Sequence, residues 1–383
     1  MPKDCRILVL GAGRVGSVIA ADLARDERLR VTVADASADA VALVRGARTV
    51  VADLADAAQL STLVADHDVV VGALPSALGL STLKAVIEAG RSVCDISFMA
   101  EDPLQLDALA RERGVTVVVD CGVTPGISNL LVGHADSELD RTERVDILVG
   151  GLPRERRWPY AYKAGFDPRD VIEEYTRPAR LVEHGEVVVR EAMSEPELVD
   201  FDGIGTLEAF NTDGLRSLLT TIDAPWRREK TLRYPGHIEL MRAFRHTGLF
   251  DSDPIAVGAS GVTVRPVDVL AALLFPKWTL DEGEVDVTVM RVRVEGEAGG
   301  QTVRYGWDLF DELDPETGRT SMSRTTGFPC AIVTRMIADG TFAQPGVHPP
   351  EVLGRQRALV DRVLEQLAAR GVMVTQTMGP EQR

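Results

Sequence analysis

The chain has 383 residues, of which 45% are hydrophobic and 26% charged, and its formal net charge is −16. These proportions are typical of globular proteins and exclude a disordered or a collagen-like chain. The acidic excess disfavours nucleic acid and anionic membrane surfaces as partners. No stretch approaches the roughly eighteen apolar residues that a membrane-spanning helix needs. The length predicts two or three domains.

Cysteine and histidine usage gives no indication of a metal site. The four cysteines are widely separated and form no C-x-x-C pair, and the six histidines show no zinc-binding spacing. The N-terminal residues show neither the apolar segment nor the cleavage site of a signal peptide. We therefore expect reduced thiols, no bound metal and a cytoplasmic protein.

Residues 6–120 alternate between short valine-rich segments and helical patterns. The strand-like segments are Arg6–Leu10, Val31–Ala34, Thr49–Val51, Val69–Gly72, Ser92–Cys94 and Thr116–Asp120. The helical patterns are Val15–Arg25, Ala38–Arg45, Ala55–Ala65, Ser81–Ala89 and Pro103–Arg113. Strands that are apolar on both faces belong to buried parallel sheets. The alternation therefore predicts an α/β fold with a doubly wound parallel sheet of the Rossmann type.

The pattern changes after residue 125. Residues 181–189 resemble a β-hairpin, and residues 285–295 alternate with a period of two before a glycine pair and a returning strand at 302–307. Helical patterns cover residues 238–246 and 267–275. These features predict a second, α+β domain that contains an antiparallel sheet.

A glycine-rich turn follows the first predicted strand and opens the first predicted helix. Gly11, Gly13 and Gly16 form a G-x-G-x-x-G pattern, with Arg14 and Val15 between the last two glycines. The first glycine allows a tight turn, the second lets a pyrophosphate approach the backbone, and the third permits close packing of helix and strand. The turn and the N–H groups of the helix N-terminus therefore predict a dinucleotide site.

Polar residues at other strand ends extend this site. Asp35 ends the second strand, where a carboxylate accepts hydrogen bonds from the ribose hydroxyls, although it could instead cap the next helix. Because the carboxylate would repel a 2′-phosphate and Ala36 follows it, NAD is favoured over NADP. Asp53 either borders the adenine or caps a helix, and Leu74 and Pro75 leave the fourth strand at the ligand-binding edge.

The helical pattern at residues 331–338 is expected to pack back on the first domain. We therefore expect an NAD-binding Rossmann domain at residues 1–125, completed by a C-terminal return at about 325–383. A substrate-binding and dimerisation domain would occupy residues 126–324.

An ordered set of short motifs resembles the saccharopine dehydrogenase family. The motifs are Val119–Ile127, Val149–Pro153, Leu207–Thr212, Lys230–His237, Arg324–Thr326 and Gly346–Glu351. Within the family, the lysine 6-dehydrogenases are most similar, since their D-x-G-V-A-P-G motif matches here except at Thr124. Residues 95–98 and 211–214 instead resemble the saccharopine-specific branch.

This resemblance implies an NAD-dependent oxidoreductase that converts the side-chain amine of L-lysine to 2-aminoadipate 6-semialdehyde and ammonia. It also implies a small-molecule amino-acid substrate and a homodimer. Two alternatives remain open. One is a saccharopine-type or carboxynorspermidine-type dehydrogenase that acts on a secondary amine, and the other is a non-catalytic NAD-binding protein.

Amine oxidation needs a base, a group that holds the substrate against the nicotinamide, and a cation for the substrate carboxylate. Asp120 is the candidate base or ammonium ligand, with a helix cap as the alternative. His237 could transfer protons because the pKa of a free imidazole is about 6.5, although a structural role is equally open. Arg233 is the candidate carboxylate anchor, unless it forms a surface ion pair. The further candidate substrate-binding residues are Asp95, Tyr162 and Asn211.

Overall fold

The computed structural model describes residues 4–165, 168–258 and 261–379. The strands are β1 (Cys5–Leu10), β2 (Leu29–Asp35), β3 (Arg48–Val51), β4 (Val69–Gly72), β5 (Ser92–Asp95), β6 (Thr116–Val118), β7 (Arg141–Pro153), β8 (Ala179–Glu183), β9 (Glu186–Arg190), β10 (Glu197–Phe201), β11 (Gly205–Asn211), β12 (Trp226–Arg233), β13 (Ile255–Val257), β14 (Val262–Val264), β15 (Asp286–Ala298), β16 (Gln301–Glu312), β17 (Gly346–His348) and β18 (Val374–Met378).

The α-helices are α1 (Arg14–Leu23), α2 (Ala38–Leu43), α3 (Ala57–Ala65), α4 (Ser76–Glu88), α5 (Asp107–Arg113), α6 (Ile127–Glu138), α7 (Pro168–Thr176), α8 (Leu218–Thr221), α9 (His237–His246), α10 (Pro266–Trp278), α11 (Ser321–Ala338), α12 (Pro350–Gly354) and α13 (Arg357–Ala368). A short 3₁₀ helix at Pro103–Leu106 precedes α5. In the part of the chain that is described, every helix is too short or too polar to cross a bilayer.

The first sheet is parallel throughout, in the order β17-β6-β5-β4-β1-β2-β3. Its central strands are apolar and buried on both faces, as in β1, where Leu8, Val9 and Leu10 are fully buried. The predicted Rossmann-type sheet is thus confirmed. The predicted sixth strand is shorter than expected, because Asp120 has a φ of +52° and turns the chain out of the extended conformation.

The C-terminal part of the chain contributes to both sheets. β17 pairs with β6 and extends the first sheet, and β18 pairs with β16 of the second. The helix expected at 331–338 is the second half of α11, which packs against α1. Arg335 of α11 donates hydrogen bonds to the buried Asp22 of α1, and Gly327 lies close to Ile19.

The second sheet has the order β10-β11-β12-β7-β15-β16-β18, and the hairpin β8–β9 attaches to β12. The long hairpin β15–β16 turns at Gly299 and Gly300, as the sequence predicts. The expectation of an antiparallel sheet needs one correction, since β12 runs parallel to β7. This second, mixed sheet faces the carboxyl ends of the strands of the first sheet, where both contribute residues to one cavity.

Candidate active site

A cavity of about 560 Å³ lies between the two sheets. Its first wall contains the glycine turn and the strand ends of the first sheet. The residues of this wall include Gly11, Gly13, Arg14, Val15, Gly16, Asp35, Leu74, Pro75, Ser97, Phe98 and Asp120. The opposite wall comes from α7, the second sheet and the loops beside them. It includes Val149, Gly150, Gly151, Glu173, Glu174, Arg177, Thr212, Asp213, Glu229, Thr231 and Arg233.

The glycine turn has the shape that a dinucleotide requires. Gly11 has a φ of +105°, and a Cβ there would overlap the carbonyl oxygen of Ala73. A Cβ on Gly16 would overlap the carbonyl oxygen of Gly11, whereas a Cβ built on Gly13 has no atom of the described residues within 4 Å beyond the adjacent backbone. Gly13 caps α1 without a side chain, so the first N–H groups of the helix remain open to a phosphate. The residues present therefore fit a pyrophosphate.

Asp35 lies at the edge of the cavity. One carboxylate oxygen accepts a hydrogen bond from the Ala12 N–H at 2.7 Å and the other accepts one from the Ser37 N–H at 2.8 Å. Asp53 has a different place. It is exposed, it does not line the cavity, and its carboxylate accepts a hydrogen bond from the Ala55 N–H within a local turn.

Asp120 lines the cavity but already has a cationic partner. Arg216 of the second domain donates to both of its carboxylate oxygens, at 3.3 and 3.2 Å, and to the Met99 carbonyl at 2.7 Å. Asp95 lies behind the lining and accepts a hydrogen bond from the Ser97 N–H. Burial and the nearby Asp120 raise the pKa of Asp95 to about 7. Asp120 and Arg216 thus form a closed ion pair that links the two domains.

Arg233 lines the cavity and is also largely engaged. Its Nε–H donates to the Tyr175 hydroxyl at 3.1 Å and its Nη1 donates to the Leu232 carbonyl at 3.0 Å. Its Nη2 donates to Glu174 at 2.9 Å and to the Tyr162 hydroxyl at 3.4 Å. A guanidinium has five N–H groups, so these four bonds leave it a single N–H for a ligand. Arg233 therefore lacks the free two-pronged face that binds a carboxylate in bidentate fashion.

His237 lies behind Arg233, outside the cavity lining. Its Nε2 is 2.8 Å from the Tyr175 hydroxyl and its Nδ1 is 2.8 Å from the Tyr160 carbonyl. Arginine can only donate and a carbonyl can only accept, so the Tyr175 O–H must point to Nε2 and the imidazole proton must sit on Nδ1. Burial, reinforced by the Arg233 charge, lowers the pKa of His237 to about 3. The neutral His237 holds Tyr175, which in turn holds Arg233.

The other predicted substrate contacts also lie behind the cavity surface. The Tyr162 ring packs under the Arg233 guanidinium, 4.5 Å from its centre. Asn211 donates hydrogen bonds to Ser194 and Glu195. Of the predicted substrate-binding set, Arg233 alone is among the described residues that line the cavity.

Among the lining residues that were not predicted from the sequence, Glu229 and Arg177 bear most on the chemistry. Glu229 of β12 is 4% exposed, and its carboxylate is 2.6 Å from the Thr212 hydroxyl. Burial raises the pKa of Glu229 to about 8. Arg177 follows α7, pairs with Glu173 through Nη2 and lies 5.1 Å from the centre of the Phe98 ring. Its Nη1 is buried without a hydrogen-bond partner among the described residues.

The place of Glu229 in the cavity wall could have been predicted from the sequence. Side chains two residues apart on a strand share a face. Glu229, Thr231 and Arg233 follow this spacing on β12, and all three line the cavity. For Arg177, which follows a short helix, the sequence offers no comparable signal. Within the described residues, no cluster of three or more His, Cys, Asp or Glu side chains could hold a metal ion.

Comparisons with known proteins agree with this architecture. Residues 7–118 match the saccharopine dehydrogenase NADP binding domain, and residues 122–372 match the saccharopine dehydrogenase C-terminal domain. The chain is 24% identical to the NADP(+)-dependent, L-glutamate-forming saccharopine dehydrogenase of Saccharomyces cerevisiae over 90% of this chain and 93% of that protein. It is 23% identical to the carboxyaminopropylagmatine dehydrogenase of Synechocystis, over 90% of this chain and 92% of that protein.

A solved structure gives the same result for the fold. The apo form of the L-Glu-forming saccharopine dehydrogenase of Saccharomyces cerevisiae superimposes with a TM-score of 0.80, at 22% identity, over 97% of this chain and 99% of that chain. The two matched domains together cover nearly all of the sequence, in the order that the motifs predict. The chain therefore belongs to the saccharopine dehydrogenase family of oxidoreductases.

Proposed function

We propose that the protein is an NAD-dependent dehydrogenase that oxidises the side-chain amine of L-lysine. The reaction would convert the lysine cation, NAD⁺ and water into 2-aminoadipate 6-semialdehyde, NADH, ammonium and a proton. The observation that carries this proposal is Glu229, a buried carboxyl group in the cavity wall that has no cationic partner among the described residues.

Four other carboxyl groups of the cavity wall are already paired, since Asp120 pairs with Arg216, Glu173 with Arg177, Glu174 with Arg233 and Asp213 with Arg180. Saccharopine has three carboxylates and would bring more negative charge into this site. Lysine has one carboxylate and two ammonium groups. Since charge complementarity selects between partners, the cavity favours the more cationic substrate.

The preference for NAD rests on Asp35 and the residues after it. Ala36 and Ser37 supply no cation for a 2′-phosphate, and the Asp35 carboxylate would repel one. The yeast relative is NADP-dependent by name, and the matched domain is called NADP binding. Asp35 is therefore the residue on which a change of cofactor in this chain would depend.

A bound NAD supplies the hydride acceptor for the oxidation. The glycine turn and the N-terminus of α1 would hold its pyrophosphate, and Asp35 its ribose. The Asp120–Arg216 pair fixes the end of β6 against the second domain. The centre of the Phe98 ring lies 5.1 and 5.0 Å from the guanidinium carbons of Arg177 and Arg216.

A secondary-amine dehydrogenase is the second candidate. The Synechocystis relative is named for a substrate built on agmatine, which is also a cationic compound. The Glu229 carboxyl group would suit such a substrate as well. The homodimer and the cytoplasmic location that the sequence favours stay predictions.

The test is a screen for NADH or NADPH formation by the purified protein with lysine, ornithine, saccharopine and carboxylated polyamines. We expect the highest kcat/KM with lysine and NAD. Turnover of saccharopine with NADP, and none of lysine, would contradict the proposal. Binding of NADH without turnover of any amine would favour the non-catalytic alternative.

A further inference from the structure

We infer that Arg177 and Glu229 bind the two ends of the substrate, Arg177 the carboxylate and Glu229 the distal ammonium, whose proton Glu229 then accepts. This inference rests on the proposed function and names the groups that recognise the substrate. It differs from the sequence-based expectation, in which Arg233 and Asp120 have these two roles.

The two groups expected from the sequence, Asp120 and Arg233, are each neutralised by a partner within the protein. Asp120 is 3% exposed and its two oxygens both accept from Arg216. Arg233 is 2% exposed and its ion pair with Glu174 is 2.9 Å long. A substrate that used either group would have to displace a buried ionic partner, which leaves that partner uncompensated. These two pairs therefore shape the cavity without offering a free charge.

Arg177 offers an open guanidinium nitrogen. Its Nη2 pairs with Glu173, and its guanidinium carbon lies 5.1 Å from the centre of the Phe98 ring. Its Nη1 is buried without a hydrogen-bond partner among residues 4–165, 168–258 and 261–379. A buried donor without a partner is costly, so such a group in a cavity wall indicates an acceptor that arrives with the ligand. A carboxylate oxygen is the acceptor that a guanidinium binds most strongly.

Glu229 offers a carboxyl group that a substrate ammonium could pair with. It forms no ion pair with a described side chain, and the Thr212 hydroxyl and the Gly214 N–H are the groups that lower its pKa by hydrogen bonding. Glu174 and Asp213 face it, and both are acidic. The nearby cations are already committed, because Arg233 pairs with Glu174 and Arg180 pairs with Asp213. A substrate ammonium would be the first cation paired with this carboxyl group.

With these two contacts, each proton of the lysine oxidation can be followed. Glu229 is mostly protonated in the free protein near pH 7, and it ionises when the substrate ammonium binds, which releases one proton to solvent. The carboxylate next takes a proton from the ammonium, and the free amine lone pair assists loss of a hydride from its carbon to NAD⁺. The substrate carbon is oxidised to an iminium and NAD⁺ is reduced to NADH. Water adds to the iminium and ammonium leaves, which gives the aldehyde and leaves Glu229 protonated, as it was before the substrate bound.

Binding of two ligands to variants of Arg177 and Glu229 tests both contacts. Calorimetry on the NADH-loaded protein compares lysine with norleucine, which has the same chain length but no distal ammonium. Arg177→Met should weaken both ligands about tenfold or more, because both carry the carboxylate, and Arg177→Lys should restore part of the loss. Glu229→Gln should weaken lysine about tenfold or more and leave norleucine unchanged.

Turnover and proton release give further readouts. Glu229→Gln should lower kcat for lysine by roughly 10²–10⁴-fold, the usual contribution of a general base. Lysine binding near pH 7 should release about one proton in the wild type and none in this variant, as measured in buffers of different ionisation enthalpy. The matched control is Glu351→Gln. Glu351 is also fully buried and close to a threonine hydroxyl, Thr221, but lies outside the cavity lining, so activity per folded molecule should not change.

The outcomes separate the two proposals. A wild type that oxidises no lysine contradicts the proposed function. A wild type that oxidises lysine while Glu229→Gln keeps its kcat and its proton release contradicts the inference alone. Equal loss of lysine and norleucine in Glu229→Gln would likewise overturn the ammonium contact, and unchanged binding of both in Arg177→Met would overturn the carboxylate contact.

Discussion

The two walls of the cavity are built from different groups. The first wall presents backbone, namely the glycine turn, the N-terminus of α1 and the ends of parallel strands. The second wall presents ionisable side chains on α7 and β12, among them Glu174, Glu229 and Arg233. Backbone N–H groups suit a ligand part that every dinucleotide shares. The ionisable wall is where a change of one residue can change the substrate.

The charges of the cavity also fall into two kinds. Asp120 with Arg216, and Arg233 with Glu174, are closed pairs in which each charge has its partner. Glu229 has no cationic partner among the described residues, and Arg177 keeps one nitrogen open. Closed pairs should therefore matter most for folding, and open charges for substrate binding.

The largest effect on stability is expected where the two walls meet. Arg216→Ala would leave Asp120 buried beside Asp95 without a cation, which should cost about 3–5 kcal/mol of unfolding free energy. Urea denaturation measures this. The control is Arg304→Ala, which removes an exposed pair with Glu295 and should cost about 0–1 kcal/mol. Equal losses in the two variants would show that the Asp120 pair is not a structural link.

The backbone wall can be tested with two glycines of the same motif. Gly16→Ala would force a methyl group into the carbonyl of Gly11 and should lower the unfolding free energy by about 1–3 kcal/mol. The methyl group of Gly13→Ala would meet no described atom within 4 Å beyond the adjacent backbone, so the variant should keep the stability but weaken NADH binding by filling the space beside the phosphates. Thermal melting and NADH fluorescence measure the two effects. The opposite pattern would contradict the assignment of the pyrophosphate to this turn.

The third prediction concerns the hydrogen bonds of Tyr175, which support the second wall. Tyr175→Phe removes the hydroxyl that accepts from Arg233 and donates to His237, which leaves two buried polar groups without a partner. This should cost about 1–3 kcal/mol of unfolding free energy. Tyr305→Phe is the control, since the Tyr305 ring stacks on Trp307 away from the cavity. No loss in Tyr175→Phe would indicate that Glu174, Tyr162 and the Leu232 carbonyl hold Arg233 without this hydroxyl.

Because the sequence signals of the first wall are local, most of the predicted cofactor residues line this wall, although Asp53 does not. The G-x-G-x-x-G turn and Asp35 lie within 25 residues of one another, and strand and helix periodicity places them at one sheet edge. The ionic partners of the second wall come from distant segments. Arg216 lies 96 residues after Asp120, and periodicity does not reveal such a contact. For the same reason the role of His237 behind Arg233, and the pairing of β17 with β6, emerge only from the folded chain.

The last prediction concerns cofactor choice and returns to the first wall. Asp35→Ala removes the carboxylate that would bind the ribose hydroxyls and repel a 2′-phosphate, so NAD should bind more weakly and NADP more tightly. One charge-assisted hydrogen bond is worth roughly 1.5–3 kcal/mol, which predicts that the ratio of kcat/KM for NAD over NADP falls at least about tenfold. The carboxylate also accepts from the Ala12 and Ser37 N–H groups, so Asp35→Asn is the variant that keeps an acceptor oxygen while removing the charge. If Asp35→Asn shifts the ratio as far as Asp35→Ala, charge repulsion decides the cofactor. A wild type that already prefers NADP would show that this wall accommodates the phosphate in spite of Asp35.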